Sequence, residues 1–249
     1  MKLFVISKNH MNTSLITNKV LVPKEFNNVA SKYDFATYLS QGYQEDLDRS
    51  AAALNLKGDE RVLDLCCGTG KSSAAVLQFI KTGNIIGVDN SEGMLEVANQ
   101  KFQKEIKEGK ISFVLQDAMQ LDFPGNSFDI VFMAYGLRNM PDYEKSLQII
   151  RKVLKPGGKV CIHDYSLSEG LFPKIYWFVL GYFFIVPFCT LLSGSFKIYT
   201  YLIKSVSTFL TPSEITSKLK NNGFEKTKIV EHASWRKPIL HTLIATAQK

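Results

Sequence analysis

The chain of 249 residues contains only four cysteines, and none has the spacing of metal ligands. Cys66 and Cys67 are adjacent, Cys161 lies inside an expected strand, and Cys189 lies in an apolar stretch. Structural zinc sites instead use pairs of cysteine or histidine ligands at short, regular intervals. Isolated thiols of this kind are typical of proteins in a reducing compartment. We therefore expect no metal site.

The opening stretch, MKLFVISKNHMNTSLITNK, lacks the features of a targeting segment. Its apolar run is too short for a secretory signal, it has no small-residue cleavage site, and it lacks the arginines of a mitochondrial presequence. We expect this stretch to be a lead-in segment and the protein to be cytoplasmic. A peripheral location at the inner face of the membrane is left open.

Runs of basic residues are also missing, although the net charge is +7 and the pI about 9.1. Such a charge favours attraction to anionic surfaces. The lysines are spread along the chain, and the loose cluster between Lys101 and Lys110 alternates with Glu105 and Glu108, as on a solvated helix face. We expect no nucleic-acid partner.

Two common phosphate-binding motifs are incomplete around the stretch LDLCCGTGK, residues 63–71. An apolar strand at 61–65 turns through Gly68-x-Gly70 into a helix at 72–80, which presents bare backbone N–H groups to a ligand. A dinucleotide site would have glycines where Cys66 and Ser73 stand, and a phosphate loop would need a glycine five residues before Gly70. The turn therefore predicts a ligand without a pyrophosphate.

Two aspartates follow the next strands. Asp89 ends the apolar run at 85–88, about twenty residues after Gly70, the offset at which a carboxylate accepts hydrogen bonds from a ribose. Asp117 follows a strand at 111–115 and can accept from an adenine amine, while the backbone near Ala118 meets the ring edge. Either aspartate alone is also explained as a turn residue, but their order and spacing favour S-adenosylmethionine.

Strands alternate with helices along most of the chain. Strands are expected at 61–65, 85–89, 111–115, 130–133 and 159–163, and helices at 72–80, 92–108 and 143–153. Pro156-Gly157-Gly158 is expected to end a helix and lead into the fifth strand. Helices at about 20–55 precede the sheet, and strands at 225–231 and 240–247, one of them antiparallel, follow it. The fold class is α/β, a Rossmann-like, seven-stranded, mostly parallel sheet with helices on both faces.

The segment from Ile175 to Phe196 contains no charged residue. It passes the length test of about 20 residues for a membrane span. A single crossing would, however, separate the first five strands from the last two. Four residues, Gly181, Pro187, Ser193 and Gly194, are also expected to break the segment into short pieces. Three alternatives stay open: core packing under a cap, a substrate wall or membrane-facing lid rich in interfacial aromatic residues, and a true span.

Five stretches resemble one family: LDLCCGTG (63–70), GVDNSEGML (87–95), QDAMQLDFPGNSFD (116–129), YGLRNMPD (135–142) and RKVLKPGG (151–158). They resemble class I methyltransferases and, more narrowly, the ubiquinone/menaquinone-biosynthesis C-methyltransferases. The most specific pieces are Gly-Leu-Arg-Asn at 136–139 and Tyr199-x-Tyr201-Leu202 followed by Ser205-Val206. The resemblance extends from about Phe26 to Phe224.

This resemblance implies an S-adenosylmethionine-dependent methyltransferase that acts on a polyprenylated quinol. It implies a lead-in and helical cap at 1–55 and a methyltransferase domain at 56–249, with an apolar lid at about 170–210. The residues that it implies for the cofactor are Asp64, Cys66, Gly68, Gly70, Asp89, Asn90, Met94, Asp117 and Ala118. Second-rank candidates for holding the cofactor or the quinol, assigned to the substrate, are Tyr33, Tyr135, Asn139, Tyr199 and Tyr201.

Arg138 and Asp164 are the expected catalytic residues. Arg138 follows the fourth strand, where its permanent charge can stabilise an aryl oxyanion. Asp164 follows the fifth strand, where the family carries an acid, and is a candidate proton acceptor. Because side chains alternate along a strand, His163 faces away from Asp164 and is expected to be packed and hydrogen-bonded.

Three departures from the family pattern leave the acceptor in doubt. Lys71 stands where the family has aspartate, GYQEDLDR lacks a His-Arg-x-Trp-Arg run, and Trp235-Arg236-Lys237-Pro238 replaces a glycine-rich close. The alternatives are an N- or O-methyltransferase of a lipid or small molecule, and a non-catalytic scaffold subunit. We expect a lipophilic acceptor and peripheral membrane association, with a homodimer left open.

Overall fold

Seven strands form a single sheet in the computed structural model, which describes residues 42–193, 196–233 and 235–248. The strands are β1 (Arg61–Leu65), β2 (Asn84–Asp89), β3 (Ile111–Leu115), β4 (Phe128–Ala134), β5 (Leu154–Tyr165), β6 (Phe224–Val230) and β7 (Leu240–Ala247). Their order is β3-β2-β1-β4-β5-β7-β6, and β7 is antiparallel to both of its neighbours. The predicted fold class is confirmed.

Helices cover both faces of this sheet. They are α1 (Tyr43–Ala52), α2 (Lys71–Leu77), α3 (Glu92–Lys101), α4 (Gln103–Lys107), a 3-10 turn (Leu137–Asn139), α5 (Tyr143–Val153), α6 (Leu171–Leu180), a π-helical turn (Gly181–Ile185), α7 (Val186–Ser193), α8 (Phe196–Ser207) and α9 (Pro212–Asn221). Side chains cap several of them. Thr211 and Glu214 form a reciprocal capping box at the start of α9, which satisfies two backbone N–H groups there.

The core lies in two layers, one on each side of the sheet. Val62 packs in one layer and Leu63 in the other, because neighbouring side chains on a strand point to opposite faces. Both residues are fully buried. This accounts for the continuous apolar runs of the central strands, since a parallel sheet with helices on both faces has no solvent-facing side.

The structure corrects two expected boundaries. Strand β5 begins at Leu154, directly after α5, and Pro156-Gly157-Gly158 lies inside it at an irregularity where Leu154 pairs with Phe128 and Lys159 with Ile130. The helix expected at 92–108 is divided into α3 and α4 at Phe102, whose ring packs against Phe113.

The apolar segment forms a helical cap after β5. Contrary to expectation, Gly181 and Pro187 do not break it, because a π-helical turn lets the helix continue from α6 into α7. The break expected at Gly194 lies outside the described residues. Trp177 is fully buried and donates to the carbonyl of Ile203 at 3.1 Å, so the inner face packs as a small core of its own. Leu171–Leu191 is long and apolar enough to cross a membrane, yet β5 before it pairs with β7 after it.

Candidate active site

A cavity of about 460 Å³ opens at the carboxyl ends of the central strands, where ligands bind in open α/β sheets. This volume is typical of a small-molecule site. The glycine turn and the ends of β2 and β3 line one side of it, and the 3-10 turn and the helical cap line the other. The predicted residues that line it are Cys66, Gly68, Asp89, Asn90, Met94, Asp117, Ala118, Tyr135, Arg138, Asn139, Tyr199 and Tyr201.

The two glycines of the turn have different physical roles. Both have positive φ, 54° at Gly68 and 84° at Gly70. A Cβ on Gly70 would lie 2.6 Å from the ring of Phe102, so packing requires this glycine, and it precedes α2 without lining the cavity. A Cβ on Gly68 would meet nothing within 4 Å. Gly68 therefore leaves open space beside a bare backbone at the cavity wall, which fits the close approach of a ligand.

Asp89 holds the turn in place. One carboxylate oxygen accepts the Gly68 N–H and the other accepts the Ser91 N–H, each at 2.9 Å. Burial raises the pKa of Asp89, while these hydrogen bonds oppose the rise. Each carboxylate oxygen has a second lone pair, so Asp89 can still accept from a ligand hydroxyl.

The end of β3 supplies a further acceptor. Asp117 lines the cavity and is exposed, and its Oδ1 accepts the Met119 N–H at 2.8 Å. Ala118 is buried beside it. The spacing from Asp89 to Asp117 thus places two carboxylates along one side of the cavity, as a ribose and an adenine require.

Asp64 lies beneath the turn and does not line the cavity. Its Oδ2 accepts from Ser72 at 2.7 Å and from Ser73 at 2.5 Å, whereas its buried Oδ1 has no partner among the described residues. Burial raises the pKa of Asp64 to about 6. Its contacts support the start of α2, and any influence on a ligand is through charge.

Arg138 and Asp164 form a buried pair on the opposite side. Nε of Arg138 donates to Oδ1 of Asp164 at 3.1 Å, and the backbone N–H of Arg138 donates to Oδ2, also at 3.1 Å. Nη1 donates to Ser205 Oγ at 2.7 Å. Arg138 lines the cavity and Asp164 does not, which differs from the expectation that Asp164 meets the substrate. Burial raises the pKa of Asp164, and Arg138 opposes that rise.

The cap completes the wall beside Arg138. Asn139 Oδ1 accepts from Arg138 Nη1 at 3.3 Å and from the hydroxyl of Tyr201 at 3.0 Å. Tyr199 also lines the cavity, and Tyr33 lies outside the described residues. Helix α8 is thereby joined to the 3-10 turn by polar contacts at the cavity edge.

Tyr135 connects the cavity with a buried polar cluster. Its backbone has φ of 56°, a conformation that costs energy for a tyrosine. Its hydroxyl lies 2.9 Å from His163 Nε2, and its ring stacks on Tyr43. His163 is fully buried, as the alternation along β5 predicts, and burial lowers its pKa to about 3. Its ring is therefore neutral at pH 7.

Several cavity residues were not predicted as site residues. Tyr43 and Tyr165 line the cavity, as does Lys71, whose Nζ lies 5.6 Å from the ring centre of Tyr43. Lys71 stood out only as a departure from the family pattern. Ser205 belonged to a family-specific stretch, but nothing local connects it with Arg138.

Comparisons with known proteins identify the family. Residues 13–239 match the ubiE/COQ5 methyltransferase family. The chain belongs to that family. It is an enzyme that transfers a methyl group, and its cofactor is S-adenosylmethionine.

Two relatives are similar over nearly their whole length. The chain is 35% identical to a demethylmenaquinone methyltransferase of Oceanobacillus iheyensis, over 82% of this chain and 87% of the relative. It is 34% identical to one of Lactobacillus johnsonii, over 87% and 91%. Among solved structures, the [4+2]-cyclase SpnF matches with a TM-score of 0.67 at 17% identity, over 91% and 95%. That likeness shows the fold alone, because one fold supports many reactions.

Proposed function

We propose that this methyltransferase methylates a ring carbon of a polyprenylated quinol of the demethylmenaquinone type. The observation that carries the proposal is the Arg138 guanidinium, fixed by Asp164 and Ser205 at the wall of the cavity. The names of the relatives support the same acceptor class. The apolar cap supplies a surface suited to a prenyl tail.

The cofactor would occupy the side of the cavity lined by the glycine turn. Asp89 would accept from the ribose hydroxyls, Asp117 and the backbone at Ala118 would hold the adenine, and Gly68 would allow close approach of the remainder. Cys66, Asn90 and Met94 would flank it. When bound, the cofactor supplies an electrophilic methyl group on a sulfonium.

Arg138 would favour the acceptor's phenolate, which delivers electron density to the ring carbon. A free phenol has a pKa of about 10, so a cation close to its oxygen increases the reactive fraction at neutral pH. Nε and Nη1 of Arg138 are bonded to protein, while Nη2 has no partner among the described residues. Asp164 would act by positioning this guanidinium, and Asn139, Tyr199 and Tyr201 would form the adjoining wall.

The outer face of the cap would contact the membrane that holds such an acceptor. Its exposed apolar side chains include Leu171, Phe172, Ile175, Phe178, Val179, Phe183, Phe184, Phe188, Leu191 and Phe196. Aromatic side chains favour the interface between water and lipid. We propose a cytoplasmic enzyme that associates peripherally with a membrane surface; a homodimer stays a prediction.

Product analysis tests this function. Purified enzyme is incubated with cofactor labelled in the methyl group and with a short-chain demethylquinol, and the products are examined by tandem mass spectrometry. C-methylation adds one methyl group and retains both exchangeable hydroxyl protons, whereas O-methylation removes one. A parallel incubation with total lipid extract detects other acceptors. Label in a lipid amine, with the quinol unchanged, would replace this proposal by the N-methyltransferase alternative.

A further inference from the structure

Buried polar side chains lead from the cavity into the layer between the sheet and α1 in an unbroken series. Tyr135 Oη lies 2.9 Å from His163 Nε2, and His163 Nδ1 lies 2.7 Å from Thr242 Oγ1. Thr242 Oγ1 lies 2.8 Å from His232 Nε2, and His232 Nδ1 lies 3.1 Å from Asp46 Oδ1. Each of these spacings is short enough for a hydrogen bond.

The interior part of this series is closed to solvent. His163 and Thr242 are fully buried, and His232 and Asp46 are nearly so. The charged groups that face the series are Asp46 from α1 and Arg236 from the segment before β7, which hydrogen-bond each other. Although burial opposes ionisation of Asp46, hydrogen bonds from His232 and Arg236 hold its pKa below the ordinary value.

The ionised carboxylate determines the direction of the hydrogen bond at the inner end of the series. Because an ionised Asp46 can only accept, His232 donates to it through Nδ1. The relay then requires His232 Nε2 to carry no hydrogen in the resting enzyme, so that it accepts from the Thr242 hydroxyl. Thr242 has then used its single proton and accepts from Nδ1 of His163. His163 Nε2 is left as an acceptor, to which the Tyr135 hydroxyl donates.

Ser50 contacts the same groups as a side branch. Its Oγ lies 3.0 Å from His163 Nδ1 and 2.8 Å from Thr242 Oγ1. Ser50 itself donates to the backbone carbonyl of Asp46 at 2.8 Å. A carbonyl has no proton to pass on, and Ser50 reaches His232 only by way of Thr242. Thr242 therefore lies on every hydrogen-bonded connection from His163 to His232 among the described residues.

We propose that Tyr135, His163, Thr242 and His232 form a proton relay that removes the hydroxyl proton of the phenolic acceptor. This inference rests on the proposed function, and it gives Tyr135 a role in the reaction beside that of Arg138. Tyr135 meets the acceptor at the cavity wall, and the other three act through it. The relay supplies the phenolate, and Arg138 stabilises it.

The protons balance. The acceptor O–H bond breaks and its proton joins the Tyr135 oxygen, while the Tyr135 proton passes to His163 Nε2, the His163 Nδ1 proton to Thr242, and the Thr242 proton to His232 Nε2. The net products are a phenolate in the cavity and a His232 imidazolium beside the Asp46 carboxylate. After methylation the ring carbon loses its hydrogen as a proton to solvent, and the reversed relay returns the stored proton to the phenolate oxygen.

Thr242→Val tests the relay at a position that does not line the cavity. Valine matches threonine in shape and interrupts the series between the two histidines. We expect turnover of the quinol at pH 7 to fall roughly 100-fold, the low end of what positioned acid–base groups supply. Turnover should recover as rising pH forms phenolate in bulk solution, and KM should change little. A Tyr135→Phe/Thr242→Val double variant should be no slower than Tyr135→Phe alone, because both changes interrupt one path.

Ser50→Ala is the matched control, because it removes a buried hydroxyl from the same cluster and leaves the series intact. We expect its pH–rate profile to match that of the wild-type enzyme, even if its thermal stability falls. If Thr242→Val also keeps the wild-type profile, the relay is wrong. That result is distinct from failure of the proposed function, in which the wild-type enzyme itself yields no methylated quinol.

Nitrogen NMR of the imidazole rings gives a readout without turnover. The relay requires both His163 and His232 to carry hydrogen on Nδ1 in the resting enzyme. Thr242→Val should disturb the Nε2 resonance of His232 and the Nδ1 resonance of His163. Hydrogen on Nε2 of either neutral ring in the wild-type enzyme would reverse the required polarity and overturn the inference.

Discussion

Arg138 and Asp164 form an ion pair that is almost completely buried. The guanidinium side chain is 5% exposed and the carboxylate 1%, and two hydrogen bonds of 3.1 Å join the two residues. A buried pair fixes geometry more reliably than it adds stability, because the cost of removing both charges from water offsets their attraction. The pair therefore holds Arg138 in one orientation at the cavity.

Arg138→Ala should lower turnover by about a hundredfold or more while cofactor affinity changes little, which is the scale for loss of one preorganised donor. Arg138→Lys should recover only part of the loss, because a point charge does not reproduce the planar fork. Raising the pH should partly restore the alanine variant. Steady-state kinetics and calorimetry with S-adenosylhomocysteine measure both effects.

The alanine variant needs a stability control, because it leaves Asp164 buried without its partner. Loss of one member of a buried pair costs about 3–5 kcal/mol, so its unfolding must be followed beside its kinetics. Arg151→Ala removes the same residue type at a position that does not line the cavity and should leave turnover unchanged. Near-normal turnover in Arg138→Ala would contradict the quinol mechanism and favour an amine acceptor, which needs no neighbouring cation.

Asp89→Ala should weaken cofactor binding, because the ribose loses a charged acceptor and the Gly68 and Ser91 N–H groups lose their partner. A hydrogen bond to a charged group contributes about 1.5–3 kcal/mol, so affinity should fall roughly 10- to 150-fold. Calorimetric titration with S-adenosylhomocysteine measures this affinity. Asp122→Ala, at an exposed aspartate outside the cavity, is the control. Equal cofactor affinities of Asp89→Ala and Asp122→Ala would show that Asp89 does not bind the cofactor.

Local sequence signals predicted the elements that position the site. Strands β1, β3 and β7 have the expected bounds, because each is an apolar run between turn residues. Partners far apart in the chain were not predictable in this way. Ser205 reaches Arg138 only because the cap folds back on the 3-10 turn, and Asp164 lies behind Arg138 because of the register between β4 and β5. A family motif identifies such residues without indicating which of them reaches the cavity.

The cap shows a second limit of local reasoning. Glycine and proline usually end a helix, and that rule predicted interruptions at Gly181 and Pro187. The helix instead continues through a π-helical turn at Gly181–Ile185, and Gly181 packs so closely against Ile203 that a side chain there would clash. Neither the turn nor this contact with α8 is visible in the local sequence.

Asp64→Asn should change how stability depends on pH. A carboxyl whose pKa is raised on folding contributes stability below its unfolded pKa, and this contribution is lost as pH rises through the folded value. For Asp64 the pKa rises from 3.8 to about 6, so wild-type stability relative to Asp64→Asn should fall between about pH 4 and pH 6. The expected change is about 3 kcal/mol.

Urea unfolding at pH 4 and pH 7 measures this difference. Asp122→Asn, at an exposed carboxyl, should follow the wild-type curve at both values. The unpartnered amide of the asparagine at position 64 adds a cost that does not vary with pH, so only the difference between the two conditions is informative. A constant difference between wild type and Asp64→Asn would show that Asp64 is not perturbed by its burial.

The exposed face of the cap should bind anionic liposomes without spanning them. Phe172 and Phe184 are 69% and 62% exposed, and burying one such ring is worth about 1.5–3 kcal/mol. The double variant Phe172→Ser/Phe184→Ser should therefore be recovered with liposomes at least tenfold less in a flotation assay, even if each ring enters the membrane only in part. Ile229→Ser, at a 47% exposed residue of β6, should float like the wild-type protein.

Salt or carbonate at high pH should release most of the liposome-bound protein, because several weak contacts hold it. Complete resistance to carbonate would mean insertion of Leu171–Leu191, which pairing of β5 with β7 does not allow in a single crossing.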